Sequence, residues 1–190
     1  MTRFGIILAA VGIFSGAASA TPITYIETAT ATGMLGASPF TSALVTLTFS
    51  GDTSNVTILG AGFFLNVVGT GTVSVSGVGT ATFTDRIGAV LNQGIPFAGF
   101  DDDSTALLML TDVNAAFATY DLGGAFGPIP GTAKVNGSGY FYATTLGNLE
   151  FISASDAVFT ASVAPEPASA TLLGVGLLGL IGLCRKCCAR

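Results

Sequence analysis

Short runs of alternating apolar and polar residues dominate the chain between positions 21 and 164. In residues 45–49, Val, Leu and Phe alternate with two Thr residues, which is the pattern of a strand with one buried face. Two similar runs, 72–76 and 80–84, are separated by Gly77-Val78-Gly79. This spacing predicts an antiparallel hairpin with hydroxyl groups on one face and apolar groups on the other.

Glycine, asparagine, aspartate and proline separate these runs, and no stretch of this part shows a helical period. Further strands are predicted at 55–59, 62–68, 106–110, 115–121, 139–144, 149–153 and 157–163. The segment 127–131 contains Pro128 and Pro130, and we expect it not to form a central strand. Many short strands predict an all-β fold, an antiparallel β-sandwich that is jelly-roll-like. A stacked solenoid is the alternative, although one hairpin is not a repeat array.

The first twenty residues have the pattern of a secretory signal peptide. Arg3 precedes an uninterrupted apolar run of eleven residues, and Ala18 and Ala20 form a small-x-small site. Cleavage is predicted between Ala20 and Thr21 by signal peptidase after passage through the secretion machinery. An uncleaved anchor is the alternative.

The last segment, 165–190, has the pattern of a membrane stop signal. Three polar or proline residues open it, a transmembrane helix is predicted at 168–184, and basic residues close it on the cytoplasmic side. Eight Leu, Ile and Val side chains favour insertion by about 2 to 5 kcal/mol, and four glycines reduce this, so the anchor is marginal. A buried core helix is the alternative. The residues that open and close the segment are Pro165, Glu166, Pro167, Arg185, Lys186 and Arg190.

This three-part tail resembles the PEP-CTERM sorting signal of Gram-negative bacteria. The resemblance is carried by the sequence V-A-P-E-P-A-S from Val163, the Leu- and Gly-rich segment 172–180 and the basic end, although that end contains three Cys residues where an Arg-rich cluster is usual. It implies an inner-membrane-anchored precursor that an exosortase, a membrane-embedded cysteine transpeptidase, processes near the Pro-Glu-Pro. It also implies export to the cell surface or extracellular matrix, often alongside exopolysaccharide. The tail is also labelled an ice-binding protein C-terminal domain, a label that implies no ice binding for the cargo.

The composition of residues 21–164 excludes several functions. Ten acidic and two basic residues give a net charge of −8, which repels the phosphates of nucleic acids. The chain contains no His, and its three Cys residues all lie in the tail. Ser-His-Asp and Cys-His sites are therefore absent, zinc sites are not expected, and we predict no enzymatic activity and no cofactor. A carboxylate-dependent hydrolase remains as an alternative, but nothing in the sequence brings Glu27 and Glu150 together.

Two further patterns suggest a binding module. Asp101 and Asp103 in a run of three Asp residues offer oxygen ligands for Ca²⁺, although the run lacks the marks of an EF-hand, and a solvated turn after Phe100 is the alternative. Tyr140 and Tyr142 flank Phe141. In one interpretation the two Tyr rings face a sugar ligand, and in the other the segment is an edge strand whose Phe side chain points into the core. Two rows of alternating Thr residues are present, one at 28, 30 and 32 and the other at 80, 82 and 84. Such rows are typical of ice-binding surfaces and equally of ordinary solvent-facing strands.

Overall fold

The computed structural model describes residues 21–164, which form an antiparallel all-β domain. Two short 3₁₀ helices, Thr53–Asn55 and Ala115–Thr119, interrupt the strands. The twelve strands are β1 Pro22–Leu35, β2 Ser38–Asp52, β3 Thr57–Gly60, β4 Phe63–Asn66, β5 Gly69–Val75, β6 Gly79–Thr82, β7 Ile87–Asn92, β8 Phe97–Asp102, β9 Leu107–Val113, β10 Phe126–Val135, β11 Tyr142–Thr144 and β12 Gly147–Val163.

The strands hydrogen-bond along one continuous path, in the order β3-β4-β7-β8-β9-β10-β12-β1-β2-β5-β6, and β11 pairs with β12. A bridge between Phe83 and Thr144 joins the end of β6 to β11. The sheet curls so that its halves face each other: a Cβ atom on Gly71 of β5 would lie 2.1 Å from Cδ1 of Ile87 on β7. The predicted antiparallel all-β class is therefore confirmed, and the two facing layers are halves of one curled sheet.

The alternation of side chains places the core between these halves. In β1, Ile23, Tyr25, Ala29 and Ala31 are buried, while the Thr residues between them face outward. Phe159 of β12 lies among the rings of Tyr25, Phe117 and Tyr120, with centroid distances of 6.3, 5.6 and 6.3 Å. The predicted hairpin is confirmed as β5 and β6, with its hydroxyl groups on the outer face.

The prediction of a strand at 115–121 is wrong, because residues 115–119 form a 3₁₀ helix and the next residue, Tyr120, is extended. The side chain of Asn114 accepts a hydrogen bond from the N–H of Ala116 at 2.8 Å, which caps the first turn. The sequence A-A-F-A-T contains one large apolar residue, Phe117, and that residue alone is buried in the helix. A single buried side chain can be placed by a short helix as well as by a strand, so the segment needs no alternating pattern.

The segment 127–131 lies inside β10, a strand between β9 and β12, but within this segment β10 pairs with β12 alone, as expected of a segment that contains two prolines. Residues up to Gly131 pair with β12, and residues from Thr132 onward pair with β9. Pro128 and Pro130 therefore lie where the strand has one partner, and a register shift between Phe126 and Ile129 accommodates the first of them. Proline has no backbone N–H to donate, and this costs little stability where β10 has no neighbouring strand to accept the hydrogen bond.

The predicted signal peptide and the predicted transmembrane helix lie outside the described residues. Within residues 21–164, no helix has the length and apolar character needed to cross a membrane.

Candidate functional site

The first and last residues of the described domain lie next to each other, at one end of the paired strands β1 and β12. Val163 pairs with Ile23, and the backbone N–H of Ala164 donates to the carbonyl oxygen of Pro22 at 2.9 Å. Thr21, predicted to follow the signal-peptide cleavage point, accepts a hydrogen bond from the N–H of Thr53 at 3.0 Å through its carbonyl oxygen. The tail that begins at Pro165 therefore follows directly after a paired strand.

The outer face of the strands β12, β1, β2, β5 and β6 carries hydroxyl groups in register. Thr24 pairs with Ser162 on one side and with Ser50 on the other. Neighbouring rows across the five strands contain Thr160, Ile26, Thr48, Thr72 and Thr82, and then Val158, Thr28, Thr46, Ser74 and Thr80. These three rows contain no charged side chain, and adjacent strands lie about 4.8 Å apart. We call these thirteen residues and Thr70, the partner of Ser50, the hydroxyl face.

A groove lies at the opposite end of β1 from the tail. It has a volume of about 550 Å³ and is lined by residues of the β1–β2 turn and of the β11–β12 turn. Glu150 lines the groove, and its Oε1 atom accepts a hydrogen bond from the backbone N–H of Gly139 at 2.7 Å. Because β1 contains fourteen residues, about 40 Å of strand separates this groove from the residue where the tail begins.

The arrangement of the aromatic residues beside this groove differs from both expectations. The ring of Phe141 lines the groove and is 56 % exposed, whereas Tyr142 is 2 % exposed. The hydroxyl group of Tyr142 donates to the carbonyl oxygen of Leu108 at 3.0 Å, and burial raises its pKa to about 12. The interpretation with Phe141 pointing inward is therefore wrong, and Tyr140 and Tyr142 do not face one ligand together.

The acidic run ends strand β8. Asp101 is buried opposite Gly88, and Asp103 forms an ion pair with Arg86. Asp102 accepts hydrogen bonds from the N–H of Ser104 at 2.9 Å and from the hydroxyl groups of Ser104 and Thr105. Burial, together with the charge of Asp103, raises the pKa of Asp101 to about 7. The alternative of a solvated turn is incorrect for Asp101 and Asp102, which are both buried.

The structure contains a pair of acidic side chains that the sequence patterns did not single out. Glu27 of β1 and Asp112 of β9 are both fully buried and face each other across the core. No oxygen atom of either carboxyl group has a hydrogen-bond partner. Burial raises the pKa of Glu27 well above its usual value, and the charge of Asp112 raises it further. Burial also raises the pKa of Asp112 to about 6; the nearby backbone N–H of Phe159 opposes this rise, although it does not reach hydrogen-bond geometry with the carboxyl group.

A signal for Glu27 exists in the sequence. It occupies the position of an inward residue in the alternation of β1, between Tyr25 and Ala29. Neither carboxyl group lines the groove, and Glu150 is the one acidic residue among the groove's lining residues. Among residues 21–164, no three His, Cys, Asp or Glu side chains lie close enough together to hold a metal ion.

These features define a strand-rich domain whose last strand continues directly into a C-terminal tail. The chain carries the PEP-CTERM protein-sorting motif at residues 163–186, so the predicted resemblance is confirmed for the tail. The match begins at Val163, the last residue of β12. The motif implies export, a membrane-anchored precursor and an exosortase as the processing partner.

Neither the curated proteins nor the solved structures contain a match to the chain. The predicted sorting residues Pro165, Glu166 and Pro167 and the basic residues of the tail lie inside the matched range or after it, and all lie outside the described residues. Ala18 and Ala20 also lie outside the described residues.

Proposed function

We propose that this chain is an exported, non-catalytic protein, and that an exosortase delivers its strand-rich domain to the cell surface or the extracellular matrix. The observation that carries the proposal is the sorting motif at residues 163–186, which starts where the last strand of the domain ends. The domain is a sandwich-like passenger in which two halves of one curled sheet cover a single core.

The path to the surface follows from the two ends of the chain. Signal peptidase cleaves between Ala20 and Thr21, and the segment 168–184 then holds the precursor in the inner membrane. Arg185, Lys186 and Arg190 keep the tail at the cytoplasmic side, because a basic side chain costs about 3 kcal/mol at the centre of the membrane. Pro165, Glu166 and Pro167 are the determinants of processing.

The chemistry of the described domain supports a role without catalysis. The close pair of acidic side chains, Glu27 and Asp112, is fully buried and has no contact with solvent. A glycoside hydrolase needs its two carboxyl groups beside a substrate in a cleft. The groove has Glu150 as its acidic residue and no carboxyl partner for it among its lining residues.

Processing can be tested by replacing Pro165, Glu166 and Pro167 together with Ala, in a bacterium that has an exosortase and in a mutant that lacks it. We expect the unmodified chain to lose both ends and to appear outside the inner membrane, and the variant to stay in the membrane with its tail. The matched control is Glu150→Ala, which removes one negative charge outside the motif. Mass spectrometry of an intact, uncut chain at the cell surface would contradict the proposal.

The hydroxyl face favours a second function, binding of a neutral polysaccharide. The domain has a net charge of −8, yet the rows of this face contain Thr, Ser, Ile and Val alone. Hydroxyl groups exchange hydrogen bonds with sugar hydroxyl groups, and an uncharged face avoids the cost of removing water from ions. Anionic polymers are repelled by the rest of the domain. The exopolysaccharide partner that this function implies is therefore a neutral one.

Co-sedimentation of the full chain, in detergent, with an insoluble neutral glucan tests this function. Thr48 lies in the middle of the hydroxyl face, so we expect Thr48→Lys to reduce binding at least tenfold. Phe141→Ala is the control, because its ring lies at the groove. Loss of binding in the Phe141 variant alone would move the site to the groove, and no binding by the unmodified chain would exclude the function.

Calcium binding by Asp101 and Asp103 stays a prediction. The ion pair of Asp103 with Arg86 competes with it, whereas Oδ1 of Asp101 has no hydrogen-bond partner. Thermal unfolding of the full chain with Ca²⁺ and with EDTA is the direct test. An equal midpoint in both conditions would exclude the ion, and a higher midpoint with Ca²⁺ that Asp101→Asn abolishes would support it.

A further inference from the structure

Glu27 and Asp112 lie on opposite halves of the curled sheet. β1, which carries Glu27, belongs to the half that ends at β6, and β9, which carries Asp112, belongs to the half that ends at β3. Both side chains are 0 % exposed, and their four oxygen atoms have no hydrogen-bond partners. Two acidic groups therefore meet in the core at the contact between the two halves.

The surroundings offer no compensating charge. The two basic residues of residues 21–164 are Arg86, which pairs with Asp103, and Lys134, which is exposed. Of the titratable groups near the pair, Tyr25 donates its hydroxyl proton to the carbonyl oxygen of Leu122 at 2.6 Å. Four residues without a titratable group border the pair from the neighbouring strands. They are Leu47 of β2, Phe159 of β12, Gly99 of β8 and Gly131 of β10.

Backbone positions confirm that the carboxyl groups fill spaces made for them. A Cβ atom on Gly131 would lie 1.9 Å from Oδ1 of Asp112, and one on Gly99 would lie 2.8 Å from Oε2 of Glu27. A side chain larger than that of glycine at either position would therefore collide with the carboxyl group. Removal of an ionised carboxylate from water without a partner is so costly that the group takes up a proton instead.

We propose that Glu27 and Asp112 form an acid latch: the two halves of the sheet stay closed over the pair while it holds its protons and separate when the protons are lost. Ionisation of the pair creates two like charges in the core, and separation of the two halves of the sheet lets water reach them. The domain is therefore tightest in mildly acidic surroundings and opens as the pH rises.

The sign of the pH dependence follows from proton counting. In the unfolded chain both groups titrate near pH 4, whereas burial raises the pKa of Asp112 to about 6 and that of Glu27 well above its usual value. The folded state thus holds more protons than the unfolded state above pH 4, and stability falls with rising pH. For each proton that only the folded state retains, the unfolding constant rises about tenfold per pH unit between the unfolded and the folded pKa. For Asp112 these values are about 4 and about 6, so this group alone raises the unfolding constant roughly 100-fold between pH 4 and pH 7.

Urea unfolding of the full chain in detergent micelles, from pH 4.5 to 8.5, tests the latch. The chain contains no Trp, so the buried Tyr25 and Tyr120 report unfolding by their fluorescence. We expect the unfolding constant of the unmodified chain to rise steeply with pH, and Glu27→Gln with Asp112→Asn to reduce that rise by at least about 100-fold. The matched control is Glu150→Gln with Asp156→Asn, which removes the same two charges from groups in contact with solvent. An equally steep rise in the Glu27 and Asp112 variant would overturn the proposal.

A second measurement needs no variant. The chain contains three Glu residues, so carboxyl-¹³C labelling of Glu yields three resonances. We expect one of them, that of Glu27, to titrate well above the usual range of a glutamate. Hydrogen exchange at β1 and β9 should accelerate over the pH range in which this resonance titrates. A Glu27 resonance that titrates in the usual range of a glutamate, near pH 4, would exclude the latch even if the variant failed to fold.

Discussion

The backbone N–H of Ala164 donates to the carbonyl oxygen of Pro22 at 2.9 Å, so the first and last strands end side by side. The chain therefore enters the described domain, and leaves it toward the sorting tail, at one corner. The groove beside Phe141 and Leu146 lies at the far end of the same strand pair. A precursor held by its tail would therefore present this groove, about 40 Å away, to the outside.

The hydroxyl group of Tyr25 joins three parts of the core. It donates to the carbonyl oxygen of Leu122 at 2.6 Å and lies 3.3 Å from Nδ2 of Asn66. We expect Tyr25→Phe to lower the free energy of unfolding by about 1 to 3 kcal/mol, because a buried carbonyl group loses its partner. Urea unfolding measures this, with Tyr140→Phe as the control, since Tyr140 is largely in solvent. Equal stability of both variants would contradict the assigned hydrogen bond.

Gly131 allows β10 to pass the side chain of Asp112. A Cβ atom there would also lie 2.6 Å from the carbonyl oxygen of Val113, so neither neighbour can move away freely. We expect Gly131→Ala to cost about 1 to 3 kcal/mol and to lower the midpoint of thermal unfolding. Gly124→Ala is the control, because a Cβ atom on Gly124 meets nothing within 4 Å. A destabilisation that is the same in both variants would show that glycine flexibility, and not this close contact, is responsible.

Phe159 is the centre of the aromatic cluster and is fully buried. Its truncation to Ala should remove about 3 to 5 kcal/mol of stability, because the surrounding rings close the cavity only in part. Phe141→Ala removes the same atoms from a ring that is mostly exposed, and we expect a change below about 0.5 kcal/mol. Thermal unfolding of the two variants checks the difference, and similar losses would place Phe141 in the core.

Asp101 makes a separate contribution to the pH dependence of stability. Its pKa is raised to about 7, mainly by burial, so it holds a proton in the folded domain between about pH 4 and pH 7 that the unfolded chain has lost. Stability from this group is present below pH 4 and decreases as the pH rises through 7. Asp101→Asn should therefore flatten the profile by about 3 kcal/mol across that range, as measured by urea unfolding at each pH. Asp156→Asn is the control, and an unchanged slope in the Asp101 variant would show that Asp101 is solvated.

Several of these relationships were accessible from the sequence. The period of two placed Val73, Val75 and Ala81 on the inner side of a hairpin, and the structure has them there. The same alternation held a signal for Glu27, an acidic residue at an inward position of β1. Its partner Asp112 follows in β9, where four consecutive residues are buried and no alternation marks an inner face.

The sequence by itself determined the class of the domain and the sorting signal of its tail, because side-chain period and the order of polar, apolar and basic segments are local properties. The tertiary structure alone decided that Pro128 and Pro130 fit a central strand, since this depends on which side of β10 has a partner. It also decided that Glu27 meets Asp112, eighty-five positions later in the chain. The curl of the sheet places the half that contains β1 opposite the half that contains β9, and no local pattern records the distance between residues on different strands.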